Sequence, residues 1–397
     1  MRIAIVSDYF LDYVGGAQTS MLQQRAALSG AGHDVLMVST KRMRGARVQE
    51  HAGELHIGPS FTIPGLLLPV VPNSASVRAV LRDAFRRHRV EAVHVQTEFG
   101  LAHAAADVAA ELGVPVVHTV HTFYWASEGR WHLALAPLTR WLLTRFTGAS
   151  IPRLPLSPRG GFDNLLRNLT LAMALRADRV VSPSAHQARD LSAAGVQGEI
   201  AVVPNPIATS GRASVPLAPE AAGHPSFLWV ARCEAVKRPL VFAEAAVAAL
   251  EKAPSSFTVD FVGEGSELQA LRRVVDGRHE IRVHGNLPHE RVLELMDASA
   301  VVVLTSLGFD NQPMTIAEAV SRERGVLYCD PKLKEGLTHS GHLAETPDAA
   351  GLAAALAALS SDPERVLQLS RGALIDRELF DPANYVARMT ALYTAES

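Results

Sequence analysis

The sequence predicts an α/β protein built from two parallel-sheet domains that face a cleft. The first observation is a repeated alternation of short apolar runs, typical of buried strands, with longer helical stretches. The second is that this alternation occurs twice, on either side of a loose stretch from Pro204 to Pro219. The third is the length of 397 residues, enough for two domains that each bury a core. Apolar strands that alternate with helices form parallel sheets covered by helices on both faces.

The first half of the chain sets out this pattern. Its strands are short apolar runs, and its helices are longer stretches rich in Leu and Ala. The predicted strands are Arg2–Ser7, Asp34–Ser39, Ala92–Gln96, Pro115–Val120, Asp178–Ser182 and Ile200–Val203, and the predicted helices are Ala17–Ser29, Ser76–His88 and Ala102–Leu112.

The second half repeats the pattern after the loose stretch. The predicted strands are Phe227–Ala231, Phe257–Val262, Ile281–His284, Ala300–Leu304 and Val326–Cys329, and the predicted helices are Pro239–Lys252, Ser266–Val275, His289–Ala298 and Met314–Val320. Because ligands of open α/β sheets sit at the carboxyl ends of the strands, we expect the site in the loops that follow them.

Composition excludes several classes of protein. A net charge of −2 argues against a general nucleic-acid binder. Only two cysteines are present, Cys233 and Cys329, which implies no disulfide framework and a reducing compartment. The chain opens on a strand pattern rather than a signal peptide, and no apolar run approaches the ~20 residues that span a bilayer. We therefore expect a cytoplasmic protein, or one that lies on the inner face of the cell membrane.

The most informative stretch runs from Ser306 to Glu318. It follows an apolar strand, contains Gly308 and leads into a helix that starts after Pro313. Free backbone amides and the positive end of the helix dipole make such a turn an anion site. Asp310 and Glu318 lie eight positions apart and supply acceptors for hydroxyl groups on both sides of a phosphate.

Two loops of the first half carry further candidates. Gly15 and Gly16 precede the first helix, where glycines allow a phosphate or sugar to approach the backbone closely. His121 falls just past a strand, where its side chain can reach a cleft, whereas His118 lies within the strand. The alternatives are a simple tight turn and ordinary packed or loop histidines. The chain contains neither a GxGxxG fingerprint nor a GxxxxGK[ST] phosphate loop.

Two loops of the second half carry the other candidates. Arg232 and Lys237 lie five positions apart between a strand and a helix, where both cations can bind a diphosphate. The alternative is a pair of solvated surface cations. Gly263 and Gly265 line another turn at a strand end, and for Glu264 between them a simple turn is the favoured interpretation.

The ordered set of these residues resembles the retaining glycosyltransferases of family 4, over nearly the whole chain. The residues that carry the resemblance are Gly15-Gly16, His121, Val203-Pro204-Asn205, Arg232 with Lys237, Gly263-Glu264-Gly265, and Asp310 with Glu318. The resemblance implies the GT-B fold, with two Rossmann-like domains facing a cleft. It also implies an acceptor-binding domain (1–206), a nucleotide-sugar-binding domain (207–379) and a closing helix (380–397) that returns to the first domain.

The resemblance assigns the donor diphosphate to cations and helix amides. Arg232 and Lys237 bind it, with help from Gly16 and from the amides near Thr315 and Ile316. Cations at these places neutralise the charge that grows on the leaving group as the glycosidic bond breaks.

The resemblance assigns the sugars to polar side chains. Glu318 binds the ribose hydroxyls, Asp310 binds hydroxyls of the donor sugar, and His121 lies beside the sugar ring near the reacting carbon. The remaining predicted substrate-binding residues are Gly15, Asn205, Gly263, Asn311 and Met314.

Two positions depart from the family pattern. The family usually has Glu where this chain has Asp310, so the sugar contact shifts or passes to Asn311. The family often has Gly after the linker asparagine, and Pro206 replaces it here.

The implied reaction needs no cofactor. The donor is UDP-hexose or GDP-mannose, and retention involves the leaving phosphate rather than a covalent side-chain nucleophile. No DxD-type pair of carboxylates follows a strand, so we predict that no metal is required.

The segment 130–170 bears on the acceptor. The segment contains six arginines (130, 140, 145, 153, 159 and 167) and a single carboxylate, Asp163, with Trp and Phe residues interleaved. This composition favours contact with an anionic membrane, and the alternative is an amphipathic helix pair packed on the first sheet. Val93-His-Val-Gln-Thr-Glu98-Phe-Gly100 and the segment His118–Tyr124 are similar to the bacterial diacylglycerol glucosyltransferases of the family, which favours a lipid acceptor of the diacylglycerol or phosphatidylinositol type.

Three rival functions remain open on the sequence. They are a glycosyltransferase with a soluble or other small-molecule acceptor, a sugar-nucleotide epimerase, and a non-catalytic sugar-nucleotide-binding protein. Three measurements distinguish these functions: liposome binding, turnover of donor without acceptor, and the effect of replacing Arg232.

Overall fold

The structure is a computed structural model of the whole chain. It describes residues 1–12, 15–43, 47–63, 68–125, 131–157, 160–207 and 213–394, without the side chains of residue 63 and residues 131–135. Two compact units are present: Met1–Ala208 together with Pro382–Ser397 (unit 1), and Thr209–Asp381 (unit 2). Both are α/β, as the alternating pattern predicts.

Unit 1 is organised around one largely parallel sheet. Its strands are β1 (Arg2–Phe10), β2 (Asp34–Thr40), β3 (Val48–His51), β4 (Glu54–Ile57), β5 (Phe61–Ile63), β6 (Leu68–Val70), β7 (Ala92–Val95), β8 (Val116–Thr119), β9 (Arg179–Ser182) and β10 (Ile200–Val202). The sheet order is β10-β9-β8-β7-β1-β2-β4-β3, and β5 and β6 form a separate antiparallel ribbon. The strand order reverses beside β1, so the loops after β1 and β7 border a topological switch point.

Helices connect these strands. They are α1 (Gly16–Gly30), α2 (Ala75–Arg87), α3 (Gly100–Leu112), α4 (Trp131–Thr147), α5 (Gly161–Ala174) and α6 (Ala185–Ala193). The start of α3 is capped from a distance: Asp8 accepts from the amides of Leu101 at 2.7 Å and Ala102 at 3.2 Å. Burial raises the pKa of Asp8 to about 6 despite these hydrogen bonds.

Unit 2 is a fully parallel sheet in the order β13-β12-β11-β14-β15-β16. Its strands are β11 (Ser226–Val230), β12 (Thr258–Val262), β13 (Ile281–Gly285), β14 (Val301–Leu304), β15 (Gly325–Tyr328) and β16 (Gly341–Leu343). Its helices are α7 (Pro219–Gly223), α8 (Pro239–Lys252), α9 (Leu268–Val274), α10 (His289–Ala298), α11 (Met314–Ser321), α12 (Ala349–Ser361) and α13 (Pro363–Asp376). The order reverses between β11 and β14, which places a second switch point there.

The last helix, α14 (Pro382–Thr394), belongs to unit 1 although it follows unit 2 in the chain. Its Tyr385, Met389 and Tyr393 are buried against a core that includes Ile5 of β1 and Met21 of α1. None of the helices in the described ranges is long and apolar enough to cross a membrane.

The differences from the predicted elements have local causes. The strand β3 was not predicted because all four of its residues are exposed and show no apolar run. In the linker expected over 204–219, the carbonyls of Ala213 and Val215 accept from Arg322 at 2.9 Å and from Arg324 at 2.8 Å. Residues 208–212 of that linker lie outside the described part of the chain.

Candidate functional site

The switch point of unit 2 brings two predicted loops together. The loop after β11 contains Arg232 and Lys237, and the loop after β14 contains Asp310. Because β11 and β14 are hydrogen-bonded neighbours, their carboxyl ends open side by side although 73 positions separate Lys237 from Asp310. Sequence spacing alone does not reveal this pairing.

Lys237 and Asp310 form an ion pair in a recess. The distance between Nζ and Oδ1 is 2.5 Å, and only 16% and 11% of the two side chains are exposed. The ammonium also lies 5.3 Å from the centroid of the Phe309 ring. The other oxygen of Asp310, Oδ2, is buried and has no hydrogen-bond partner among the described residues. A buried carboxylate oxygen without a donor favours a hydroxyl-bearing ligand.

Thr305, which the sequence analysis missed, holds the two loops in register. Its hydroxyl donates to the carbonyl of Lys237 at 2.6 Å and accepts from the indole of buried Trp229 at 2.9 Å. In the next loop, Asp330 accepts from the amide of Gly308 at 2.6 Å. The signal available in the sequence for these two contacts was a polar residue, a threonine or an aspartate, just after each of two neighbouring strands.

The loop that carries Arg232 rests on a glycine turn. A Cβ at Gly263 would lie 1.8 Å from the carbonyl oxygen of Ala231, and the φ of Gly263 is +143°. The amide of Cys233 donates to the carbonyl of Glu264 at 2.8 Å. Arg232 itself is exposed. Backbone packing therefore explains the glycine at 263, and its ligand role remains a prediction.

Helix α11 begins where the anion site is predicted. Pro313 is its N-cap residue and provides no side-chain cap, and Met314 is the first helical residue. The amide of Ile316 already donates to the carbonyl of Pro313 at 3.0 Å, and the hydroxyl of Thr315 lies 3.5 Å from the carbonyl of Val230.

Two further predicted residues flank this helix start. Asn311 is buried in the loop. The side chain of Glu318 is 14% exposed, and His289 lies 3.9 Å from its Oε1. Burial raises the pKa of Glu318 to about 7, so a hydroxyl partner can either donate to it or accept from it near neutral pH.

In unit 1, the glycine pair opens α1. Gly15 is the N-cap residue and α1 has no side-chain cap. A Cβ at Gly15 would meet the flexible end of Gln18, whereas a Cβ at Gly16 would meet nothing within 4 Å. Packing among the described residues therefore gives no reason for glycine at 16.

His121 is part of a buried amide network that the sequence analysis missed. Its Nε2 lies 2.5 Å from Oε1 of Gln96, and the amide of Gln96 donates to Oε1 of Gln24 at 2.7 Å. Gln24 in turn donates to Oδ1 of Asn205 at 2.9 Å, which places this predicted substrate-binding residue in the network. Since the amide nitrogen of Gln96 serves Gln24, its oxygen accepts from His121, and Nδ1 of His121 is left as the acceptor.

The histidines around this network are neutral. Burial lowers the pKa of His121 to about 4, and burial together with the neighbouring histidines lowers that of His94 and His118 to about 3. His118 is fully buried, in agreement with the packed alternative. His121 therefore acts as an uncharged hydrogen-bonding group.

The arginine-rich segment forms a helix pair, α4 and α5. Leu165, Leu166 and Leu169 of α5 are buried in unit 1, as the alternative interpretation expects. In contrast, Leu138 and Trp141 of α4 are exposed. Arg130 and Arg159 lie outside the described residues.

Two sequence-family models match successive parts of the chain. The model described as "Glycosyltransferase Family 4" matches residues 14–210, and that described as "Glycosyl transferases group 1" matches residues 224–362. These regions contain the candidate residues of unit 1 and unit 2.

Two curated relatives are similar over part of their length. A GDP-mannose-dependent alpha-mannosyltransferase of Corynebacterium glutamicum is 30% identical over 148 residues, covering 36% of this chain and 34% of the relative. An alpha-monoglucosyldiacylglycerol synthase of Acholeplasma laidlawii is 27% identical over 124 residues, covering 31% of this chain and 30% of the relative. The match with each therefore spans about a third of the relative's length.

Among solved structures, a sucrose-phosphate synthase from Thermosynechococcus elongatus has a TM-score of 0.68 at 18% identity, covering 99% of this chain and 98% of that chain. This likeness shows the fold. With the family models and the two parallel-sheet units, it leads to one conclusion. The chain belongs to the family 4 glycosyltransferases and has the GT-B fold.

Proposed function

We propose that this protein is a retaining, metal-independent hexosyltransferase that moves a hexose from UDP-hexose or GDP-mannose to a lipid acceptor. The acceptor is of the diacylglycerol or phosphatidylinositol type, and the reaction takes place at the cytoplasmic membrane surface. The observation that carries the proposal is the Lys237–Asp310 pair at the switch point of unit 2, where a cation and an unsatisfied carboxylate oxygen lie together.

The donor roles follow from the chemistry of these groups. Lys237 and exposed Arg232 bind the diphosphate and stabilise the charge of the leaving group more strongly in the transition state than in the ground state. These two cations neutralise the charge of the diphosphate, which a bound metal ion does in other transferases. When a donor binds, the diphosphate competes with Asp310 for Lys237, which frees the carboxylate for a sugar hydroxyl.

The remaining roles rest on the family resemblance. Glu318 takes the ribose hydroxyls. Of the two amides that the resemblance assigns to the diphosphate, that of Thr315 assists there, whereas that of Ile316 already donates to the carbonyl of Pro313. In unit 1, neutral His121 takes the place beside the sugar, with its orientation set by Gln96.

Two observations support the lipid acceptor. One relative is by name an alpha-monoglucosyldiacylglycerol synthase. The other is the basic, Trp-containing segment 130–170 of this chain.

The first test measures thermal shifts with UDP-glucose, UDP-galactose, UDP-GlcNAc, GDP-mannose, UDP and GDP. A ligand at ~100 times its Kd adds about 2.7 kcal/mol of stability. We expect Lys237→Ala to lose the shift with any nucleotide. Lys252→Ala, at the exposed end of α8, is the matched control and keeps the shift.

Asp310→Asn separates the sugar contact from the diphosphate contact. We expect this variant to keep the shift with free UDP or GDP, to lose the additional shift of the sugar nucleotide, and to lose turnover by about 100-fold through misplacement of the sugar. Turnover is measured on diacylglycerol and phosphatidylinositol vesicles with and without EDTA, and the product anomer is read by NMR. Full nucleotide binding by Lys237→Ala, or an inverted anomer, contradicts the proposal. Turnover of donor without acceptor indicates the epimerase alternative.

A further inference from the structure

A cavity of about 350 Å³ lies between α4, the loop that follows it and the start of α5. The residues that line it include Ala136, Pro137 and Arg140 of α4, Arg153 of the loop, and Gly161 and Asn164 of α5. None of the reaction steps proposed above uses these residues.

The charged lining of this cavity is cationic. Arg140 donates to the carbonyls of Ile151 at 2.9 Å and Pro152 at 3.1 Å, which fixes its guanidinium at the cavity wall. Arg153 lines the same cavity, and burial and then the like charge of Arg153 lower the pKa of Arg140. Two like charges held in one recess are stabilised by an anion between them.

Among the described residues that line the cavity, none is a carboxylate. The sequence has no Asp or Glu between Glu128 and Asp163. Asp163 itself is buried in the first turn of α5 rather than in the cavity wall. Gly160, the N-cap residue of α5, provides no side-chain cap, so the positive end of that helix also faces this region.

Large apolar side chains next to these arginines in the chain are exposed. Leu138 and Trp141 of α4 are 57% and 63% exposed, and Leu154 of the loop is 40% exposed. Exposed Trp and Leu interleaved with arginine are typical of segments that lie in a membrane interface, where the apolar groups enter the acyl boundary and the cations meet phosphates. Binding of a free anion from solution would explain the arginines but not the exposure of these apolar side chains.

We propose that Arg140 and Arg153 bind the phosphate of an anionic membrane lipid, with Leu138, Trp141 and Leu154 inserted into the same bilayer. The inference rests on the lipid acceptor proposed above and names the surface through which unit 1 meets the membrane. The bound lipid is part of the bilayer, whether or not it is also the acceptor.

The test is sedimentation of the full chain with phosphatidylcholine vesicles and with vesicles that also contain phosphatidylglycerol. The protein is expected to sediment with the anionic vesicles and to be released by salt. Arg140→Gln/Arg153→Gln is expected to lower the vesicle partition coefficient about 25-fold, because each arginine near an anionic surface contributes about a factor of five. Trp141→Ser is expected to weaken binding to the same vesicles without changing its dependence on salt.

The matched control is Arg82→Gln/Arg87→Gln. It removes the same charge from unit 1, at α2, where both arginines are already ion-paired. This control is expected to sediment like the unaltered protein. Because Arg140 also supports the backbone, the single variant Arg153→Gln, at an exposed position, is measured as well and is expected to lose about five-fold.

Three outcomes overturn the inference. In the first, the double variant sediments like the unaltered protein. In the second, the control loses as much binding as the double variant. In the third, inorganic phosphate raises the thermal midpoint of the unaltered protein but not that of the double variant, and neither protein sediments with vesicles, which indicates a free-anion site. Nucleotide-induced thermal shifts, measured on the same variants, keep the two proposals apart. Lost vesicle binding with a retained shift supports the lipid surface, whereas vesicle binding without any nucleotide shift contradicts the proposed reaction and leaves the lipid surface standing.

Discussion

Glu98 of unit 1 carries a buried carboxyl group that is protonated at neutral pH. It is 4% exposed, and the hydroxyl of Thr170 donates to its Oε1 at 3.0 Å. Burial is the main reason that its pKa rises from 4.5 to about 8, and the nearby Asp8 adds to the effect. Between these two values the folded protein holds a proton that the unfolded chain has lost. Stability from this group is therefore complete below pH 4.5 and is lost as pH rises through 8.

We predict that Glu98→Gln removes this pH dependence. Between pH 7 and 8 the unaltered protein should lose about 1 kcal/mol through Glu98, whereas glutamine keeps the acceptor for Thr170 and does not ionise. At pH 8 the variant should therefore be the more stable protein. The measurement is the free energy of unfolding of both proteins at pH 7.0, 7.5 and 8.0. Parallel pH curves would rule out the protonated state.

A second residue-scale effect concerns the tautomer of His121. The hydrogen bond to Gln96 places the proton on Nε2, which leaves Nδ1 as an acceptor. The phenol of Tyr393 lies 2.8 Å from Nδ1 of His94, so polar groups from β7, α1 and α14 support this part of unit 1.

Among the elements, the loop between β11 and α8 depends on the glycine turn after β12. The amide of Gly263 donates to the carbonyl of Gly285 at 2.8 Å, and the amide of Glu267 donates to that of Cys233 at 2.9 Å. The first bond ties the glycine turn to the end of β13, and the second ties the backbone beside Arg232 to the segment that follows this turn. A disturbance of the glycine turn therefore moves a proposed diphosphate ligand.

We predict that Gly263→Ala destabilises unit 2 and weakens nucleotide binding. The positive φ alone costs about 1–3 kcal/mol, and the overlap with the carbonyl of Ala231 adds to it. Gly277→Ala is the control, because Gly277 also has a positive φ, of +74°, but a Cβ there meets nothing within 4 Å. Unfolding free energies and nucleotide thermal shifts of both variants are compared. Equal losses in the two variants would show that overlap with Ala231 is unimportant.

For the whole molecule, the notable feature is that α14 completes a core built from the start of the chain. Alternate residues of β1 face opposite sides of the sheet: Ile5 packs with α1 and α14, and Val6 packs with α2 and α3. The side chain of Met389 in α14 is fully buried on the first of these faces. The stability of unit 1 therefore depends on a segment that follows unit 2 in the chain.

We predict that Met389→Ala lowers the stability of unit 1 by about 2–5 kcal/mol and leaves unit 2 unaffected. Hydrogen exchange with mass spectrometry should show faster exchange in β1 and α1 peptides and unchanged exchange in β11 and α8 peptides. Arg388→Ala, at the exposed neighbouring position, should leave both units unchanged. Faster exchange in both units after Met389→Ala would contradict this assignment.

The sequence by itself determined the α/β class, most strands of both sheets and the loops in which candidate residues lie. Apolar runs such as Val301–Leu304 are buried on both faces of a sheet, so their composition shows their structure directly. Strand β3 and the glutamine partners of His121 were not predictable in this way. The residues of β3 are exposed and polar, and buried glutamines leave no periodic trace.

Only the tertiary structure decided which loops meet. The order of strands in a sheet is set by long-range packing, and it brings Lys237 to Asp310 across 73 positions and His121 to Gln96 across 25. It also decided that the backbone of Gly263 lies so close to the carbonyl of Ala231 that a Cβ would not fit there. In addition, it placed Arg140 and Arg153 in the lining of one cavity. Sequence patterns record which residues are buried and how the local backbone runs, whereas contacts between distant polar groups arise only when the sheets assemble.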